Sequence, residues 1–319
     1  GFAKRGHDVT VITGANGSFV SSKDIQEEFK IIRINNLRDY EKGKIPLRAI
    51  LENLTKALSH KHFDVVHVHN FMLSLAYASL STLVRTNKVV FTFHNTPVPN
   101  EGKIIGHFSN FDLERAFTSF IIKLSFYDNL VCPSRYYFDW AIKLGANKNK
   151  VKLIYHGVSE NNYLTKKNLL WRNKFGYNKD DFIIVCPARM INRKGIIDLV
   201  EAVAIINDSR VKLFVPTSVS NGSIEYLNRV RAFIRRNSLD DKVKIAVDIE
   251  NLQTMSEVYV NCDVCVLPSH VEGLGIALLE GMAAGIPVIG SDTFGINEII
   301  ENGINGLLSK PKDPKDLAE

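Results

Sequence analysis

Arg189 and Lys194 stand five positions apart in ARMINRKG (188–195), and Glu272 and Glu280 stand eight apart in PSHVEGLGIALLEG (268–281). The two cations precede a helix-like run that Gly195 lets the chain enter tightly. A guanidinium that bonds in a fork and an ammonium that acts as a point charge suit the two phosphates of a diphosphate. Glu272 falls in a glycine-broken turn after an apolar run, next to a helix start whose free N–H groups attract anions. Gly273 and Gly275 let a ligand approach the main chain around Leu274. Glu280 falls about one and a half turns into that helix, placed to point back at the same crevice. A carboxylate there can accept from both hydroxyls of a vicinal diol, such as a ribose or sugar ring. His270 borders the same turn and is a candidate ligand contact. Taken alone, the two acids fit equally a structural salt bridge at Glu280 and a loop acid at Glu272. The two cations at a separate strand end favour the ligand site.

These residues need strand ends to hold them, and the chain supplies a parallel α/β pattern. Strands are expected at 7–13, 29–34, 63–69, 88–94, 129–134 and 150–158, and again at 182–189, 211–216, 242–247, 262–269 and 286–291. RYYFDWAIKLG (135–145), KGIIDLVEAVAII (194–206) and EYLNRVRAFIRRNSL (225–239) read as helices between them. FMLSLAYASLSTLV (71–84) reads as a buried helix, too short and too rich in serine to cross a bilayer. The polar stretch 159–181 interrupts the alternation. The expected organisation is therefore a first domain over 1–158, a linker over 159–181 and a second domain over 182–319. In such sheets ligands bind beyond the carboxyl ends of the strands. The opening GFAKRGHDV reads as a last helical turn entering a strand. The closing KDPKDLAE reads as a helix start with Asp313 as cap and Pro314 in the first turn. A preceding strand–loop–helix unit and following helices are expected to be missing.

Composition narrows the function classes. The 319 residues are 45% hydrophobic and 23% charged, ordinary for a globular protein large enough for two cores. The net charge of +6 is uneven, because residues 1–157 carry 21 Lys or Arg against 13 Asp or Glu. A basic first half fits an anionic lipid surface or an acidic acceptor as well as it fits plain solvation. No nucleic-acid motif accompanies it. Cys132, Cys186, Cys262 and Cys265 lie in apolar runs and read as reduced core residues. The CxxC spacing of the last two places them on opposite faces of a strand, against metal or redox work. With no signal peptide in view, the chain reads as cytoplasmic, with peripheral contact at the inner membrane face as an option. No Asp-x-Asp pair is present to hold a divalent metal on a diphosphate, and no metal or other cofactor is expected. His67 and His69 share a strand face but lack a visible third ligand, so they read as lining or packing. His156 reads as shaping a crossover. Ser134 and Ser269 lack a nucleophile elbow.

The combined elements R-x4-K-G (189–195), P-S-x-x-E-G-x-G (268–275), E-x7-E (272–280), G-I-P-V-I (285–289) and E-x4-G-x-N-G-L-L (298–308) resemble family 4 of the retaining glycosyltransferases. GHDVTVIT, DVVHVH, FTFH and PSRYYFDWAIKLG add to the likeness in the first half, so it spans nearly the whole chain. The resemblance implies a GT-B fold, two tandem Rossmann-like domains facing an interdomain cleft. It implies transfer of a hexosyl group from a nucleotide-diphosphate sugar to a saccharide or lipid-linked acceptor, without a metal. It gives Glu272 the transferred sugar's hydroxyls, Glu280 the nucleotide ribose, and Arg189 and Lys194 the departing diphosphate. His94, ending FTFH, resembles the first-domain histidine near the reaction centre. Backbone N–H groups around Gly273, Leu274 and Gly275 would hold phosphate or sugar oxygens. In such transferases a leaving-group phosphate oxygen helps deprotonate the acceptor, so no dedicated base is named. VPTSVSNG (215–222) and DIEN (248–251) depart from the glycines usual in the family around the base pocket. A non-catalytic nucleotide-sugar-binding homologue and a sugar-nucleotide epimerase on the same architecture are the alternatives. The first would bind donor without turnover, and the second would convert donor with no acceptor present.

Overall fold

The computed structural model describes residues 2–14, 24–26, 29–34, 37, 48–58, 62–69, 85–94, 104–105, 108–124, 126–163, 167–218, 223–247 and 255–319. The helix expected at 71–84, the second half of 215–222 (residues 219–222) and all of 248–251 lie outside these residues. Two compact units form. The first comprises residues 1–133 and 137–154, and the second residues 134–136 and 155–319.

In the first unit, β1 (Thr10–Gly14) pairs parallel with β3 (Phe29–Ile34), and the short β2 (Asp24–Gln26) runs antiparallel to β3. A second sheet has the order β4 (His62–Val68), β5 (Arg85–Thr92), β8 (Asn129–Cys132) and β9 (Val151–Leu153), all parallel. A small antiparallel pair, β6 (Ile104–Ile105) and β7 (Phe108–Ser109), lies between β5 and β8 in the chain. Phe91, Phe93, Ile122, Leu130 and Tyr127 fill the core against which the helix Arg135–Lys143 packs.

The second unit carries one six-stranded parallel sheet in the order β12 (Val243–Val247), β11 (Val211–Thr217), β10 (Phe182–Val185), β13 (Val264–Leu267), β14 (Val288–Ser291) and β15 (Leu307–Ser309). Counted from β10, that is the doubly wound order 3-2-1-4-5-6, which reverses direction between β10 and β13. Apolar runs such as VCVL are buried at all four positions because helices cover both faces of the sheet. The observed strands are shorter than the apolar runs that mark them. CDVCVLPS pairs only from Val264 to Leu267, and KVKLIYHGV only from Val151 to Leu153. The remaining residues leave the sheet as the loops that matter below.

Of the stretch 159–181, the described residues 167–181 pack against the second sheet. The helix Leu169–Lys174 sets Trp171 against Phe214 of β11, with ring centroids 5.3 Å apart, and Tyr177 joins the same aromatic cluster. Buried Arg172 donates to Asp263 Oδ2 at 2.8 Å and to the carbonyl of Asp181 at 2.9 Å. Its polar neighbours make the stretch look like a linker, yet one aromatic face and one buried cation bind it to the second sheet. The four cysteines are buried thiols. The closing helix Pro314–Ala318 has Asp313 as its cap, accepting from Lys315 and Asp316 N–H groups at 3.2 and 3.1 Å. Among the described residues no helix is long and apolar enough to cross a membrane.

Candidate functional site

The strand order reverses between β10 and β13, and the loops leaving the carboxyl ends of these two strands carry most of the residues singled out in the sequence. After β10 the chain runs extended through Arg189, makes one 3-10 turn, Asn192–Lys194, and enters the helix Ile196–Ile205 through Gly195. Gly195 has φ +64°, and a Cβ there would lie 2.0 Å from the carbonyl oxygen of Pro268. The two loops therefore touch backbone to backbone, which only glycine permits. Further bonds lock them. The His270 N–H donates to the Arg193 carbonyl at 2.8 Å, and Arg193 Nη1 donates to the Val271 carbonyl at 3.2 Å. The His270 ring closes the arrangement through Nε2 on Asp198 Oδ2 at 2.5 Å, reaching the first turn of the following helix. Arg193 is a strut between the loops.

Glu272 occupies the centre of this arrangement. Its Oε2 is bonded by the Lys194 ammonium and by Ser269 Oγ at 3.2 Å, and its Oε1 accepts from the Gly273 N–H at 3.2 Å. The side chains of Lys194 and Glu272 are only 12% and 14% exposed, so this is a buried ion pair. Burial alone raises the Glu272 pKa. The charge and hydrogen bond of Lys194, with the Arg193 charge and the Gly273 N–H, outweigh that and hold it below the usual glutamate value. From behind, Gly295 (φ +86°) packs so closely that a Cβ would meet the Gly273 carbonyl carbon at 2.6 Å.

The helix Ile276–Ala283 opens at Gly275, which has no side chain to cap it. Leu274 is buried beside it and anchors the turn. One and a half turns on, Glu280 is half-buried and accepts from the Tyr259 hydroxyl through Oε2 at 2.7 Å. Tyr163 comes from the turn Glu160–Tyr163 and packs edge-on to Tyr259, with ring centroids 5.9 Å apart. Burial first, then the Glu280 charge and hydrogen bond, push the Tyr163 phenol up to about 12, and burial pushes Tyr259 up further. No cation pairs with Glu280 among the described residues, so neutral phenols take the place of the salt bridge that the sequence left open. Arg189 is exposed, and among the described residues no side-chain bond holds its guanidinium.

His94 belongs to the first unit. It follows β5, and its Nε2 lies 3.0 Å from Nδ1 of His69, which follows β4; the two rings stack. His67, beside His69, bonds the Thr92 hydroxyl through Nε2 at 2.6 Å. Burial, with the charge of His69, lowers its pKa to about 4. Among the described residues no group of three or more His, Cys, Asp or Glu is arranged to hold a metal ion.

Four contributors escape sequence reading. Ser269 was weighed only as a nucleophile, although its place three residues before Glu272 could have marked it as a partner. Asp198 lay in the first turn of a helix, where acids are common without further purpose. Tyr259 and Tyr163 carried no signal, because an aromatic at a buried helix position reads as core.

Residues 1–162 match the model for Glycosyltransferase Family 4, and residues 168–319 match that for Glycosyl transferases group 1. An uncharacterised glycosyltransferase of Methanocaldococcus jannaschii is 26% identical, over 100% of this chain and 80% of its own length. The N-acetyl-alpha-D-glucosaminyl L-malate synthase of Bacillus anthracis is 22% identical over 99% of this chain and 79% of its own. Among solved structures, sucrose-phosphate synthase from Thermosynechococcus elongatus superposes with a TM-score of 0.82 at 19% identity, covering 99% of this chain and 79% of that one. Anabaena HepE in complex with UDP and glucose gives 0.75 at 18% identity, covering 97% and 88%. The chain belongs to glycosyltransferase family 4 and is built from the two Rossmann-like units of the GT-B fold.

Proposed function

We propose that the protein is a retaining glycosyltransferase that moves a hexosyl group from a nucleoside-diphosphate sugar to a saccharide or lipid-linked acceptor, with no metal on the diphosphate. The observation that carries this reading is the buried Lys194–Glu272 pair at the reversal of the sheet, with Glu280 on the next helix. Lys194 and Glu272 satisfy each other's charge. A donor diphosphate draws Lys194 to itself, joined by exposed Arg189 and the N–H groups around Gly273 to Gly275. Glu272, released, accepts from the sugar hydroxyls, and neither buried charge is left alone during the exchange. Glu280 takes the ribose, His94 acts near the reacting carbon from the first unit, and His270 holds its loop against Asp198. As the glycosyl–phosphate bond breaks, negative charge grows on the diphosphate, where the cations and amides act. The acceptor hydroxyl passes its proton to a phosphate oxygen and bonds to the anomeric carbon on the same face. Nucleoside diphosphate leaves.

Relatives and structural neighbours support the donor and acceptor classes. HepE has also been solved with UDP-glucose. A Campylobacter jejuni relative, 30% identical over 55% of this chain, is an N-acetylgalactosaminyltransferase acting on N,N'-diacetylbacillosaminyl-diphospho-undecaprenol. A cytoplasmic site, with peripheral contact at the inner membrane face, would suit such an acceptor.

Uridine, guanosine and adenosine diphosphate sugars, incubated with lipid-linked and free saccharide acceptors, test the proposal when product anomers are read by NMR. The donor's anomeric configuration should be kept, and EDTA should leave the rate unchanged. Glu272→Ala and the milder Glu272→Gln should each lower turnover by about a hundredfold or more. Wild-type turnover in both variants, or an inverted product, would overturn the reading.

A further inference from the structure

Glu272 and Glu280 are held in opposite ways. Glu272 has a lysine against it, whereas Glu280 has the Tyr259 hydroxyl on Oε2 at 2.7 Å and Tyr163 beside it. The two phenols arrive from different elements, the helix Met255–Asn261 and the turn Glu160–Tyr163. The Tyr259 ring is fully buried, and phenylalanine would fill the same core volume. Its hydroxyl is accounted for by the carboxylate it meets, since a buried hydroxyl without a partner destabilises a fold. A carboxylate held by neutral donors is fixed in direction yet keeps its full negative charge. It therefore remains a strong acceptor for further hydroxyl groups, which a carboxylate neutralised by an ammonium is not.

We propose that Tyr259 and Tyr163 are positioning residues that aim Glu280 at the vicinal hydroxyls of the donor's ribose, and so make the site select ribonucleotides over deoxyribonucleotides. The inference rests on the nucleotide-sugar reading above. Tyr259 fixes the plane of the carboxylate through Oε2. Tyr163, half-buried at the end of the turn Glu160–Tyr163, flanks the same group and packs edge-on to Tyr259. Removing either hydroxyl leaves the negative charge in place and frees it to rotate. The loss then appears only for ligands that use both ribose hydroxyls.

The test is calorimetric binding of UDP, GDP and ADP, each paired with its 2'-deoxy form, to the full chain and to the variants Tyr259→Phe, Tyr163→Phe and Glu280→Gln. The wild type should bind at least one ribonucleotide about tenfold or more tightly than its deoxy partner, the worth of a hydrogen bond to a charged group. Each tyrosine variant should lose most of that preference by weakening the ribose form alone, and Glu280→Gln should lose all of it. A merely structural role would weaken both forms alike, and that result overturns the proposal, as does an unchanged preference. Should Tyr259→Phe not fold, Tyr163→Phe decides, because its half-exposed ring leaves the core intact. A wild type that binds none of the six nucleotides removes the nucleotide-sugar reading and this inference with it. Binding with a preference that Glu280→Gln leaves intact removes the inference and the ribose role of Glu280, and leaves the nucleotide-sugar reading standing.

Discussion

Both units gather polar residues at the carboxyl ends of parallel strands, but they fill those ends with different chemistry. At the carboxyl ends of β4 and β5 of the first unit stand His67, within β4, and His69 and His94, just past the strands, bonded to a hydroxyl and to one another. Beyond β10 and β13 of the second unit stand a buried ammonium and a buried carboxylate, paired, with backbone locked around them. Imidazoles can meet burial by staying neutral, and His67 does so. Glu272 is instead kept charged by the ammonium of Lys194 beside it. The first arrangement therefore weakens in mild acid, where the unfolded chain takes up the proton before buried His67 does. The second yields to loss of a partner.

That contrast is most easily broken at Lys194. Lys194→Met leaves Glu272 buried and alone, and should destabilise the second unit by about 3–5 kcal/mol in thermal or urea unfolding. Adding Glu272→Leu removes the orphaned charge and should restore most of the loss. No recovery in the double variant would show that the pair is not the stabilising unit.

A smaller effect is expected behind the pair. Gly295→Ala forces a Cβ onto the Glu272–Gly273 backbone at a φ of +86°, and should lower stability by about 1–3 kcal/mol. It should also weaken nucleoside-diphosphate binding measured by calorimetry. Unchanged binding would separate the glycine's packing from the ligand loop.

Mild acid should give the smallest effect and sharpen the contrast most. The folded pKa of His67, about 4, lies below its ordinary value of 6.5, so its contribution is full above 6.5. It fades as pH falls toward 4, because the unfolded chain takes up the proton first. Glu272 is also depressed, so its contribution is present above the ordinary glutamate value of 4.5 and is lost only as pH falls through its lower folded value. The first unit should thus loosen at a higher pH than the second. The chain has two tryptophans, and they report separately, with Trp140 packed in the first unit and Trp171 in the second. Single-tryptophan variants followed by fluorescence in urea from pH 7 to 4.5 should show the Trp140 transition moving first. Equal movement of both would dissolve the distinction.

Periodicity carried the fold, because buried parallel strands are written as apolar runs and their helices end at glycines or begin at caps such as Asp313. It overshot the strand ends, since apolar residues continue past the last ladder bond into loops like 186–189. It also misread 159–181, where polar residues hide a face made by Trp171 and Tyr177. Glu272, Glu280, Arg189 and Lys194 were visible because charge next to glycine at a strand end is unusual. Their partners were not visible, because Ser269, Asp198 and Tyr259 are ordinary residues in ordinary places.

Residue type and spacing alone determined that this chain would form two α/β units and would carry cations after β10 and acids after β13. Those features depend on local pattern, which a linear sequence displays. The tertiary structure decided which cation meets which acid, that Glu272 is paired while Glu280 is held by phenols, and that Arg193 braces a loop. The bonds of Lys194 to Glu272 and of Arg193 to Val271 each span 78 positions, and that of Tyr259 to Glu280 spans 21. They exist only once the doubly wound order brings β13 beside β10, and packing then chooses which neighbours remain to satisfy each buried charge.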